Sequence, residues 1–213
     1  MDFDDFSIRI SKIEKLELPG SASHYKMMPL FRIEELSSLQ IDKKNPKKAA
    51  VMALFYPDTD NGTNLLLILR NTYNGVHSNQ IALPGGQMEK DDKDLINTAL
   101  RETYEEVGAV PDQIQVIRSL TKVYIPPSNF EVTPYLGLYH KERPFMADPG
   151  EVAAMIEVSL RDLMDDRNIF HHILNTSYAD NMGVPAFKLN DYTVWGATAM
   201  MLSEIKELFK QVL

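Results

Sequence analysis

The stretch RETYEEVG, residues 101–108, puts three glutamates, Glu102, Glu105 and Glu106, within five positions. On a helix, Glu102 and Glu106 stand one turn apart on the same face, with Glu105 beside them. Like charges at that spacing cost a bare helix about 0.2–0.5 kcal/mol per pair. The penalty is small, so an ordinary solvated helix face stays open as a reading. Crowded carboxylate oxygens also suit Mg²⁺ or Mn²⁺, which favour carboxylate, water and phosphate oxygens over nitrogen or sulfur. The segment LPGG, residues 83–86, leads toward this helix. Its glycines permit positive φ and close approach of the backbone to a ligand. Strand, glycine turn and carboxylate-bearing helix together predict a cradle for a metal-bound pyrophosphate.

The elements that must hold these residues are visible in the hydropathy pattern. AAVMALFY (49–56) and NLLLILR (64–70) are nearly continuous apolar runs joined by the turn-rich PDTDNGT, as expected for strands covered on both faces. From Asp94 onward, Leu95, Ala99, Leu100, Thr103 and Val107 form an apolar-leaning helical stripe. Gly108 closes it in a C-cap position. IQVIRSLTKVYI (114–125) and FEVTPYLGLYH (130–140) read as strands around PPSN, and EVAAMIEVSL (151–160) as another. Residues 181–185 have hairpin-like character, and 195–213 read as a closing amphipathic helix. Near the N-terminus, Phe6, Ile8, Ile10 and Ile13 fit a short helix packed on the body. Residues 20–37 show little periodicity and read as an extended arm. The expected organisation is an N-terminal helix and arm over residues 1–47 and a main domain over 48–213. Alternating strands and helices predict an α/β fold, an α/β/α sandwich with a mixed β-sheet.

Composition narrows the function classes. A chain of 213 residues suits one domain with a real core. A net charge of -8 argues against nucleic acid or an anionic membrane as partner. It leaves room for an anionic small substrate, because a metal ion and a few local cations reverse the field inside a cleft. The absence of cysteine excludes disulfides, thiolate metal sites and cysteine nucleophiles. The longest strongly apolar run is too short to span a bilayer, and the acidic start MDFDDFSIRI has no apolar signal core. The expectation is a soluble, cytoplasmic protein.

From Gly86 to Ala109 the chain resembles the Nudix box, Gly-x5-Glu-x7-Arg-Glu-U-x-Glu-Glu-x-Gly-U, where U is a bulky apolar residue. Arg101, Glu102, Glu105, Glu106 and Gly108 match in register, while Thr103 and Ala109 stand at the U positions. The spacing from glycine to arginine is one residue longer than the general pattern. Lys93 occupies the position of the upstream glutamate, and the acidic role passes to Asp92. This longer spacing, with the run TALRE, is similar to the coenzyme A pyrophosphatase branch of the Nudix hydrolases. LLILRNTYNGVHSNQIALPGG resembles that branch's upstream signature at Leu67, Arg70, Pro84, Gly85 and Gly86. Asn71 replaces its serine, Gly75 its second arginine, Asn79 a glycine and Leu83 a phenylalanine. SNFEVTPYLG, EVAAMIEVSL and VWGATAMML also resemble branch segments, so the likeness runs from about residue 48 to the end.

The resemblance implies hydrolysis of a diphosphate linked to another group, with Mg²⁺ or Mn²⁺ as cofactor. It makes Glu102 and Glu106 the main metal ligands, with Glu105 supporting them or a bound water. Arg101 orients the glutamates, and Asp92 fixes the loop–helix junction or caps the helix. Glu151 matches the loop glutamate that serves as base in parts of the superfamily. A box glutamate is the alternative base, and an uninvolved surface position is the plainer reading of Glu151. Arg70 and His77 are the expected phosphate contacts and Gly85 and Gly86 the substrate-side turn. Tyr124 and Phe130 flank PPSN and would sandwich an adenine. The plainer readings are a strand-end cation, a solvated histidine and core aromatics. Met27 and Met28 fit a dimer contact or an acyl-pantetheine groove. The implied substrate is a coenzyme A-like nucleotide, free or acylated, cleaved to 3′,5′-ADP and 4′-phosphopantetheine or its acyl form. The alternatives are ADP-ribose or a noncanonical nucleotide, or a module that binds a nucleotide without cutting it. A homodimer is expected by analogy with related folds.

Overall fold

The computed structural model describes residues 1–38, 41–72, 79–141, 145–176 and 179–213. The chain opens with helix α1 (Phe3–Ile10), then α2 (Ser21–Tyr25) and α3 (Leu30–Ser38). Strands β1 (Lys47–Pro57), β2 (Thr63–Arg70), β3 (Ile81–Ala82) and β4 (Gly85–Gln87) lead into α4 (Leu95–Val107). There follow β5 (Ile114–Ser119), β6 (Val123–Ile125), β7 (Phe130–Tyr139), β8 (Val152–Ser159) and α5 (Leu160–Met164). Strands β9 (Ile169–Thr176), β10 (Ala179–Leu189) and β11 (Tyr192–Trp195) precede the closing helix α6 (Gly196–Phe209).

Strand β1 is the spine. It runs parallel to β7 from Lys47 to Phe55 along one edge. On its other edge the partner changes: Ala49–Val51 pair antiparallel with β4, and Leu54–Pro57 pair antiparallel with β2. Strand β8 adds to β2, and β5 and β6 add to β7, giving a mixed sheet. Strands β9, β10 and β11 form a separate antiparallel sheet. The side chains of β1 and β2 alternate between two buried clusters. Phe55, Leu65 and Leu67 face α1 and α6, whereas Met52, Leu54, Leu66 and Ile68 face Ala99 and Val107 of α4. Helices therefore cover both faces of the sheet, which is the expected sandwich. On the α1 side, Phe6, Phe55 and Phe209 meet with ring centroids 5.2 to 5.4 Å apart.

Three local readings change. The segment expected to be an extended arm carries α2 and α3, and Met27 and Met28 between them are buried in the core. The expected strand over 114–125 breaks at residues 120–122. Its partner carries Pro134, which has no N–H to donate, and Leu120 instead donates to the Pro134 carbonyl at 2.8 Å. Gly85 and Gly86, expected in a turn, lie in strand β4 opposite Val51 and Ala50, whereas the hairpin-like character at residues 181–185 is met by the antiparallel pairing of β10 with β9. No helix among the described residues is long and apolar enough to cross a membrane.

Candidate active site

Asp94 caps the N-terminus of α4, its side chain accepting from the Asn97 N–H at 2.8 Å, and Gly108 ends the helix at φ 73°. The helix lies against β1 and β4, so Glu102 and Glu106 point at the Gly85–Gly86 backbone. Glu106 is fully buried and accepts from the Gly85 N–H at 2.7 Å. A side chain on Gly86 would begin 2.5 Å from the Glu102 carboxylate, and one on Gly85 would begin 2.3 Å from the Ala50 carbonyl oxygen. Gly85 also holds φ 147°. Close contact on both sides is what requires the glycine pair.

The third carboxylate arrives from the sheet. Antiparallel pairing of β2 with β8 sets Arg70 opposite Val152 and so delivers Glu151 to the end of β2. Carboxylate oxygens of Glu102, Glu106 and Glu151 lie within 4.8 Å of one another. Asn71 tethers this loop: its side chain donates to the Pro149 carbonyl at 2.8 Å and its N–H to the Glu151 carbonyl at 2.9 Å. Asn71 is not among the residues the sequence singles out as a site residue. Its signal there is its place right after Arg70, at the signature position where the resembling branch has serine.

Arg101 organises the cluster. Nε and Nη2 grip both oxygens of Asp92 at 3.0 Å, Nη1 reaches Glu102 at 3.0 Å and Glu105 at 2.9 Å, and Nη2 also donates to the Gln87 carbonyl at 3.2 Å. Asp92 is thus an anchor for Arg101, with Asp94 taking the cap, and Lys93 is exposed. The Arg101 bond holds the Asp92 carboxyl well below the ordinary carboxylate range, against the opposing effect of burial and with help from Glu89 N–H and Thr98. Glu105 turns to Arg101 with its side chain half exposed, apart from the trio of converging carboxylates.

Arg70 Nη1 lies 3.1 Å from Glu106 Oε1, and its Nη2 donates to the Gly85 carbonyl. Burial pushes Glu106 up to about 7 despite Arg70 and the Gly85 N–H, and Glu102 and Glu151 add to the rise. Burial likewise raises Glu102, with Arg101 opposing. Glu106 Oε1 is buried yet accepts no hydrogen bond among the described residues. An underbonded oxygen within three clustered carboxylates is a fitting donor set for a hard divalent cation.

Arg70, Gly85 and Gly86 also border a cavity of about 950 Å³, and Tyr124 and Phe130 stand in its wall. The Tyr124 hydroxyl donates to Asn129 at 2.9 Å. His77 and Gly75 lie outside the described residues. Asn79, where the resemblance expects glycine, has φ 56°. Asparagine is among the side chains that tolerate this left-handed conformation best, so the replacement keeps the backbone that glycine would supply.

The NUDIX domain family matches residues 46–174, the greater part of the chain. This chain belongs to the Nudix family. It is 31% identical over 166 residues to Nudix hydrolase 15, mitochondrial, of Arabidopsis thaliana, a match covering 76% of this chain and 58% of that protein. The chain therefore spans little more than half of that Nudix relative. It is 34% identical over 162 residues to the uncharacterized Nudix hydrolase NudL of Cronobacter sakazakii (strain ATCC BAA-894), covering 76% of this chain and 82% of that protein. Among solved structures, the Nudix hydrolase RenU from M. smegmatis superposes with a TM-score of 0.52 at 15% identity, covering 79% of this chain and 88% of that one. That likeness shows a shared Nudix fold.

Proposed function

We propose that the protein hydrolyses the diphosphate bond of coenzyme A or its acyl thioesters, yielding 3′,5′-ADP and 4′-phosphopantetheine or its acyl form, with Mg²⁺ or Mn²⁺ as cofactor. The observation that carries this reading is the convergence of Glu102, Glu106 and Glu151 beside the Gly85–Gly86 backbone of β4. The longer box spacing, with Asp92 anchoring Arg101, supports the coenzyme A branch within the family. A bound divalent cation supplies charge neutralisation to the diphosphate and acidifies a water molecule.

Glu102 and Glu106 would hold the cation, Glu106 from within the core and Glu102 from one turn earlier on α4. Arg101 is committed to Asp92, Gln87, Glu102 and Glu105, so it orients carboxylates and does not reach substrate. Glu105 is held by that guanidinium and steadies the outer side of the site. Glu151 is exposed at the rim of the cluster, where it can take the proton of the attacking water. Arg70 stands between Glu106 and the cavity, in position to offset phosphate charge.

Incubation with Mg²⁺ or Mn²⁺ and a panel of CoA, acetyl-CoA, ADP-ribose, NADH and nucleoside triphosphates, with products identified by mass, tests the reading. The expected products are 3′,5′-ADP and phosphopantetheine species. Survival of CoA and its thioesters while ADP-ribose is cut would replace the substrate assignment. Survival of every compound would point to a binding module. Glu151→Gln is expected to lower kcat by roughly 10²–10⁴-fold, the usual contribution of a positioned base.

A further inference from the structure

The cavity bordered by Arg70, Gly85 and Gly86 extends well beyond what catalysis uses. At about 950 Å³ it sits at the upper end of the roughly 300–1,000 Å³ typical of ligand pockets. Four methionines line it: Met27 and Met28 between α2 and α3, and Met200 and Met201 on α6. All four are buried. Unbranched, polarizable methionine side chains adapt to apolar ligands of variable shape. Three of the polar residues in the wall are engaged elsewhere. Thr198 donates to the Ile81 carbonyl at 2.9 Å, Tyr124 bonds Asn129, and Arg32 pairs with Glu35 at 2.6 Å. Phe31 lines the cavity while 45% exposed, which marks an opening to solvent.

We infer, resting on the diphosphate-hydrolysis reading, that this cavity receives the apolar tail of the substrate and makes medium- or long-chain acyl thioesters the preferred substrates over free CoA. The Gly85–Gly86 backbone is the shared boundary. Its N–H serves Glu106 on the carboxylate side, and the same two residues wall the cavity together with Arg70. A diphosphate held at the carboxylates therefore has its attached group beside the cavity. A short polar arm ending in a thiol leaves the methionine-lined space unfilled, and an alkyl chain fills it. Met27, Met28, Met200 and Met201 lie outside the stretch that matches the family, so the two ends of the chain add the methionine wall to a cavity whose other side belongs to the matched domain.

The test is kcat/KM, on the full chain with Mg²⁺, for CoA and its acetyl, octanoyl and palmitoyl thioesters kept below micelle-forming concentrations. A fully buried methylene is worth roughly a fourfold gain, so at least a tenfold rise from acetyl to octanoyl is expected even with partial burial. A flat or falling series overturns the inference while leaving CoA hydrolysis intact. Met28→Trp fills the cavity and is expected to lower the octanoyl-to-acetyl ratio at least fivefold, with Met28→Leu close to wild type. An unchanged ratio in a folded Met28→Trp protein counts against the pocket. Should Met28→Trp fail to fold, the wild-type chain-length series alone decides. If no thioester is cut, the substrate reading falls. Competition by adenosine diphosphate esters bearing ethyl or octyl groups then decides the pocket: tighter octyl binding supports it and equal binding overturns it.

Discussion

Every N–H of the Arg101 guanidinium has a partner inside the protein, and the five hydrogen bonds tie Asp92, Glu102, Glu105 and the Gln87 carbonyl into one unit. Lysine keeps the charge but loses the planar fork that makes such a unit rigid. Arg101→Lys is therefore expected to raise the Mg²⁺ concentration for half-maximal activity, and to lower activity, by about 10–100-fold; metal titration of the variant checks this. Glu106 supplies the pH prediction. Its carboxyl rises from 4.5 to about 7 on folding. A raised carboxyl stabilises the fold fully below its unfolded value, and that contribution is lost as pH rises through the folded value. In chelator, the Tm should fall between about pH 4.5 and 7 on this account. Saturating Mg²⁺ should flatten that fall, because the cation takes up the charge that burial disfavours.

At the scale of elements, α6 is fastened to the N-terminal segment by one buried carboxylate. Glu204 accepts from the Thr121 hydroxyl at 2.6 Å, the Thr121 N–H at 3.1 Å and the Gly20 N–H at 3.3 Å, and it lies 3.2 Å from His24. Burial alone would raise its pKa, yet the bonds from His24 and Thr121 bring it below the ordinary value. Glu204→Gln is expected to cost about 1–3 kcal/mol, read by urea denaturation. Thr121 can serve it because the strand is interrupted at residues 120–122. That interruption was not legible in the apolar run from Ile114 to Ile125, since its cause, Pro134, sits in the neighbouring strand. Helix α2 was also hidden, being five residues long, too short for a periodic stripe. By contrast, β1 and β2 stood out as nearly continuous apolar runs and α4 by its helical stripe. Glu102 and Glu106 were readable as neighbours from helical spacing alone. The approach of Glu151 depends on the pairing of β2 with β8, a long-range contact that periodicity does not encode.

The whole molecule is held by packing that joins its beginning, middle and end. Phe6, Phe55 and Phe209 pack together on one face of the sheet with tilted and edge-on rings, and each is fully buried. Phe6→Ala should lower stability by about 3–5 kcal/mol, a Tm drop of roughly 6–20 °C for a chain of this size, measurable by calorimetry. The same meeting of chain ends has a consequence for inheritance. The carboxylates come from residues 102 to 151, whereas the methionine wall of the cavity comes from residues 27 and 28 and from 200 and 201. On the acyl-pocket reading, the reaction and part of the selectivity are written in different stretches of the gene. Recombination or drift at either terminus can retune which diphosphate is admitted while the reacting centre passes on unaltered, and a chimera exchanging only the two ends with a relative should carry the donor's preference.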